Sequence, residues 1–171
     1  MSARMTTPQP APASPLAPAW LPAPGDPDAL VPGLWAAGVD RAADGELTVQ
    51  GLRASALAAE FGTPLLVVDE DDFRARARAF REGFDAAFAD LCGGADVYYA
   101  GKSMLTLSTA RWAAEEGLRV DTASGGELAI ALAAGVDPAH IGLHGNNKSD
   151  AELRTALELS LIHISERAGK A

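Results

Sequence analysis

The chain has 171 residues, a formal net charge of -9 and 48% hydrophobic residues. That length suits one ordinary domain, and the apolar share excludes a wholly disordered chain. The acidic balance argues against a nucleic-acid footprint, which needs clustered Lys and Arg, yet leaves room for a small anion held by backbone amides at a helix start.

Residues 1–30 are rich in Ala and Pro and carry almost no charge. Such a stretch buries too little to offset its ordering entropy, so it is expected to be a disordered lead. Its prolines break every apolar run, and no segment reaches the ~20 apolar residues of a membrane span, so neither a secretory signal nor a membrane anchor is expected. The single cysteine, Cys92, cannot form an internal disulfide, which points to a reducing, cytoplasmic setting. It sits in the turn-like run Leu91-Cys92-Gly93-Gly94 and reads as a small loop residue.

Order is expected to begin near Leu34-Trp35. Apolar residues at 52, 56, 57 and 61 have helical spacing, with Gly62 as the stop. From there strands and helices alternate. Residues 64–68 read as a short buried strand. Residues 69–88 form an amphipathic helix with Phe73, Ala77, Phe80, Phe84 and Phe88 along one face. Further strands are expected at 95–99, 118–121 and 140–144. Helices are expected at 105–116, closed by Gly117, at 127–134, closed by Gly135, and at 150–159, capped by Ser149. Short connections between strand and helix imply an α/β fold of parallel βα units. An open doubly wound sheet and a closed barrel both fit. A full barrel takes ~250 residues, so residues 64–159 are at most part of one.

In both architectures ligand groups gather at the C-terminal ends of strands. Lys102 follows an apolar strand directly. Held there away from water, its amine would favour the neutral, nucleophilic form and become a Schiff-base candidate. The alternative is a surface lysine that starts the next helix. Gly101-Lys102-Ser103 also resembles the end of a phosphate-binding loop, but that pattern requires glycine at 96, where this chain has Asp96. Asp121 is a carboxylate at the next strand end, followed by Ser124-Gly125-Gly126, where Ser124 or Gly125 could cap a helix. His144, at the fourth, could be a stacking group, a general base, a metal ligand or a structural residue. His140 lies four residues away on a strand, too far to share an ion, so no metal site is expected. Asn146 and Asn147 are turn formers.

Together these pieces resemble the bacterial diaminopimelate decarboxylase family. The matching runs are Tyr99-Ala100-x-Lys102, Glu116-Gly117-Leu118-x-x-Asp121-x-x-Ser124-Gly125-Gly126-Glu127-Leu128 and His144-Gly145-Asn146-Asn147-Lys148-Ser149. The last is the most discriminating, since related ornithine and arginine decarboxylases differ there. Thr63-Pro64-Leu65 through Asp69-Glu70-Asp71-Asp72-Phe73 is similar to the family's entry segment. The resemblance covers about residues 33–159.

That resemblance implies an alanine-racemase-like (β/α) barrel carrying pyridoxal 5'-phosphate, with a second, mainly β domain, in a homodimer. It implies decarboxylation of meso-diaminopimelate to lysine through a Schiff base on Lys102. Ala100 would lie beside the cofactor ring, and Asp121 and His144 would belong to the cofactor-binding shell. It divides the chain into the lead at 1–30, a segment at 31–63 associated with the β domain, the first part of the barrel at 64–159 and an atypical tail at 160–171. The strand at 65–68 would belong to the β domain or its junction.

The chain departs from the family in two ways. The family carries a larger apolar residue or alanine where Gly101 and Ser103 stand. After Leu159 further βα units are expected, and no match is found to the later histidine that stacks on the ring, the glycine-rich phosphate loop, the glutamate on the ring nitrogen, the substrate-binding arginine and tyrosine, or the cysteine given across the dimer. An N-terminal fragment, itself inactive, is therefore the alternative expectation, with 161–164 able to form a further strand.

Overall fold

The computed structural model describes residues 33–161 and 163–166, and before them positions 16, 18, 25, 26 and 28–31. Most of the lead expected to be disordered at 1–30, and the end of the tail, lie outside the described residues.

The described chain opens with a small antiparallel sheet, β1 (Val39–Arg41), β2 (Leu47–Val49) and β3 (Leu52–Arg53), in the order β1-β2-β3. Gln50 and Gly51 join β2 to β3 with φ of 50° and 75°, the positive values that a two-residue hairpin turn demands. This turn corrects the sequence reading of a helical run from 52: Leu52 and Arg53 pair with β2, and helix α1 occupies only Ala54–Phe61 before Gly62 stops it.

Helix α2 (Glu70–Cys92) starts on Asp69, whose side chain accepts from the Asp72 N–H, and carries Glu70, Asp71 and Asp72 in its first turn, where the helix dipole favours acids. It ends at Gly93 in the left-handed region. It is thus one turn longer than expected and includes Cys92, which lies in the helix and not in a loop. The apolar stripe of α2 is only half used. Phe73 packs edge-on against Tyr99 at 5.3 Å and against Trp112 at 5.7 Å, and Ala77 is buried. Phe80, Phe84 and Phe88 stack on one another at 6.3 and 6.4 Å and stay exposed.

Residues 64–68 are not the buried strand expected. They precede α2 without strand pairing, and Leu66 is 80% exposed. No strand among the described residues lies beside them to take their backbone hydrogen bonds, and an apolar run cannot form a strand alone.

The larger sheet is parallel throughout. β4 (Tyr98–Ala100), β5 (Arg119–Thr122), β6 (Ile141–Gly145) and β7 (His163–Glu166) stand in sequence order. Helices α3 (Leu107–Glu115), α4 (Gly125–Ala133) and α5 (Asp150–Glu158) make the crossovers. α3 and α5 begin with reciprocal capping boxes, Thr106 with Thr109 and Ser149 with Glu152, and α4 is capped by Ser124. Arg74 fastens α2 to the end of α3. Its guanidinium reaches Glu70 at 2.7 Å, Glu115 at 2.6 Å and Glu116 at 3.4 Å, and lies over the Trp112 ring.

Strand side chains alternate between faces. Val120, Thr122, Ile141 and Leu143 point one way and are fully buried with Ala110, Ala113, Leu128, Ala131 and Ala156 of the helices. Ala100, Asp121 and Gly142 are partners in register on the other face, with His144 two residues further along β6. The apolar core thus lies on one side of the sheet only. A doubly wound sheet carries helices on both faces, whereas a barrel keeps them outside. The fold is therefore part of a (β/α) barrel.

Candidate active site at the C-terminal ends of the parallel strands

β4 ends at Ala100 and runs into a single 3-10 turn, Gly101–Ser103, that carries Lys102. Gly101 is buried against β5. A Cβ there would lie 2.8 Å from the Asp121 carbonyl oxygen and 3.3 Å from Leu105, so the missing side chain lets the turn lie on the neighbouring strand. Lys102 itself is exposed among the described residues. The turn carries it past the end of the strand, and no wall of described residues encloses it.

Asp121 and His144 meet directly. The imidazole Nδ1 faces the carboxylate Oδ1, with the Asp121 side chain 21% and the His144 side chain 42% exposed. That carboxylate oxygen is buried and accepts no hydrogen bond among the described residues, so the contact with His144 is a close approach of acid and ring. Gly142 lies between them on the strand surface. A Cβ on it would come within 3.4 Å of Asp121 Oδ1 and 3.9 Å of His144 Cε1. Lys102, Asp121 and His144 therefore share one edge of the sheet, on adjacent strands. Only the last two are in contact.

The loops behind this edge are tied together by Glu152, which sequence reasoning did not single out, and by Glu127 and Lys148 of the matching motifs. Glu152 of α5 accepts from the Gly125 N–H at 2.6 Å and from the Ser149 N–H at 2.8 Å, joining the starts of α4 and α5. These amides, with the Ser149 hydroxyl, hold its carboxyl below the usual glutamate range. Glu127 accepts from the Ala123 N–H at 2.8 Å. Lys148 is buried and donates from Nζ to the Gly145 carbonyl at 3.1 Å. The Ser149-x-x-Glu152 spacing of a capping box was the available signal for Glu152. Its bond to Gly125 had none, because it crosses between two units.

A cleft of about 560 Å³ lies beside β4, lined by Val67, Val68, Phe73, Phe80 and Tyr98 among others. It reaches Ala100 and Ser103 but includes neither Asp121 nor His144. Among the described residues no cluster of His, Cys, Asp and Glu is placed to hold a metal ion. No helix among them is long and apolar enough to cross a membrane.

An accessible amine at one strand end, with an acid and an imidazole at the next two, places a potential nucleophile and two polar groups along one edge of the sheet. Residues 70–165 match the family model described as the pyridoxal binding domain of pyridoxal-dependent decarboxylases, and the chain belongs to that family. It is 44% identical over 135 residues to the diaminopimelate decarboxylase of Mycobacterium tuberculosis, covering 79% of this chain and 29% of that protein. A solved structure from Aquifex aeolicus matches with a TM-score of 0.68 and 30% identity over 77% of this chain and 31% of that one. Diaminopimelate decarboxylase from M. jannaschii, solved with L-lysine, matches with a TM-score of 0.66 and 28% identity over 76% of this chain and 30% of that one. The chain spans less than a third of the length of the curated relatives it matches.

The donors present fit pyridoxal phosphate. Lys102 offers a primary amine to its aldehyde, Ala100 and Gly142 leave room on the concave face, and Asp121 and His144 supply polar groups there.

Proposed function

We propose that this chain is the first part of the cofactor-binding barrel of a decarboxylase that converts meso-diaminopimelate to lysine. The observation that carries the reading is the placement of Lys102 directly after β4, on the same sheet edge as Asp121 and His144. Lys102 would hold pyridoxal 5'-phosphate through its amine. Ala100, the last residue of β4, is small enough to let a flat ring lie close to the strand. Asp121 and His144 would form the polar shell. When bound, the cofactor supplies an electron sink for the pair left on the substrate's α-carbon as carbon dioxide departs. The protein's residues bind the ligand, orient it and hold protons beside it. The relative solved with L-lysine supports the substrate assignment, because lysine is the product of that reaction.

In the same reading residues 31–63 belong with the β domain, 64–159 are barrel and 160–171 are the tail, although β7 continues the parallel sheet into that tail. The partners are a small amino acid and a second copy of the whole enzyme, with no nucleic acid or membrane, in the cytoplasm. The exposure of Lys102 favours a second reading for these 171 residues alone: they take up cofactor without turning substrate over.

The test is to incubate the chain with pyridoxal phosphate, reduce with borohydride and map the label. Attachment at Lys102 is expected, with loss of the label from this position in Lys102→Ala. Arg would not rescue, since its guanidinium stays charged. A label confined to Lys148 or Lys170 would refute the assignment. Carbon dioxide release from diaminopimelate separates the two readings.

A further inference from the structure

Two rows of side chains run side by side along the exposed half of α2. Phe80, Phe84 and Phe88 form a ridge, and Ala79, Gly83 and Ala87 form a second row beside it, both at a spacing of four residues. Along them lies an open groove of about 400 Å³. Phe80 is 60% exposed and Leu91, past the end of the ridge, 78%. Nothing among the described residues accounts for Gly83. It stands in the middle of a 23-residue helix, where glycine costs stability, and a Cβ on it would meet nothing within 4 Å. Glycine at such a place suits a close approach from outside the chain. The charges of α2 are also divided. Arginines stand at 74, 76, 78 and 81, and acids alone, Glu82, Asp85 and Asp90, follow. Arg74 and Arg78 are turned to Glu115 and Glu116 at the end of α3, whereas Arg76, paired with Asp72 on its own helix, keeps 53% of its side chain exposed.

We propose that this face of α2 pairs with the same face of a second copy of the chain, antiparallel about a two-fold axis at Gly83 and Phe84. The pairing does not rest on the cofactor reading. An antiparallel copy centred there sets Phe80 against Ala87, Phe84 against Gly83 and Phe88 against Ala79, so each ridge fills the other's row of small residues. The same register brings Arg76 of each copy beside Asp90 of the other. Ridge and groove, base and acid, thus lie on one helix face in the order that a two-fold axis requires. A partner of another sequence would need only one member of each. The exposed parts of the three phenylalanines and Leu91 amount to about 400–500 Å² per copy. Two copies bury a total at the low end of specific interfaces, so the pair is a weak one whose population rises with concentration.

Sedimentation of the full chain and its variants over a range of concentrations tests this. The parent should reach a closed dimer. Gly83→Ala leaves room for the opposing ring and should change little. Gly83→Leu fills the groove and should raise the dissociation constant about tenfold. That variant adds apolar surface, so unspecific stickiness would be strengthened by it. It should melt no lower than the parent, since the new side chain enters open space. Asp90→Arg and Arg76→Glu should each weaken the dimer by repulsion, and combining them should restore it. A monomer at every concentration overturns the pairing and leaves the stripe to a different partner. Association unchanged or increased in Gly83→Leu overturns it as well, whether the product is a dimer or an open series of aggregates. A double charge variant that associates no more tightly than the two single ones overturns the antiparallel register.

Discussion

Lys148, two residues before α5 begins, is buried with its Nζ on the Gly145 carbonyl at 3.1 Å, whereas Lys102 stands exposed. The buried lysine therefore serves the loop after β6. Replacing it with Met keeps the stem and removes the ammonium, leaving a carbonyl without its charged donor. A cost of about 1–3 kcal/mol is expected, read as a lower denaturation midpoint. Borohydride labelling with pyridoxal phosphate should remain at Lys102 in this variant. Loss of the label would show that Lys148 is the true attachment point.

Glu152 should make stability depend on pH. Its carboxyl lies below the ordinary value of 4.5, first through the amides of Ser149 and Gly125. A carboxyl depressed in the folded state stabilises the fold fully above the unfolded value, and that contribution is lost as pH falls through the folded value. Melting curves of the parent chain and Glu152→Gln should therefore differ most near neutral pH and converge in acid. Parallel curves at every pH would show that the tie between α4 and α5 contributes nothing.

Asp69 joins the small sheet to α2. Its carboxylate caps the helix at the Asp72 N–H and takes the Gln50 amide on both oxygens at 3.0 Å. Asp69→Ala removes the cap and strands the Gln50 donor. The loss should be about 2 kcal/mol, the upper end for a helix cap, because the site is buried. Asn at this position caps nearly as well and should recover most of it. Chemical denaturation reads both, and an Ala variant as stable as the parent would remove Asp69 from the account.

The stacked rings of Phe80, Phe84 and Phe88, with Leu91 beyond them, leave an apolar stripe on α2 in contact with solvent. β4 and β7 are the edges of the parallel sheet. Exposed edges and patches of this kind drive association. Sedimentation of the 171-residue chain should show concentration-dependent self-association, reduced by Phe84→Asp. A monomer at all concentrations, unchanged by the substitution, would show that neither surface is sticky.

The sequence by itself determined the local elements of the barrel segment. α3, α4 and α5 stand where the 3.6-residue spacing, Ser149 and the stop glycines place them, and β5 and β6 lie within a residue or so of the apolar runs. Capping and periodicity act within a few residues, so one stretch of chain carries the whole signal. The motifs from Tyr98 to Ser149 also carried the family, because they sit at strand ends where ligand chemistry gathers. Only the tertiary structure decided the rest. Residues 64–68 have strand composition, but a strand exists only with a neighbour to bond. The choice of barrel over doubly wound sheet turned on which face the helices cover, which is a property of packing. The meeting of Asp121 with His144 across two strands depends on register between segments about 20 residues apart. No spacing along one segment records that register, because it is set by the shared core beneath the sheet.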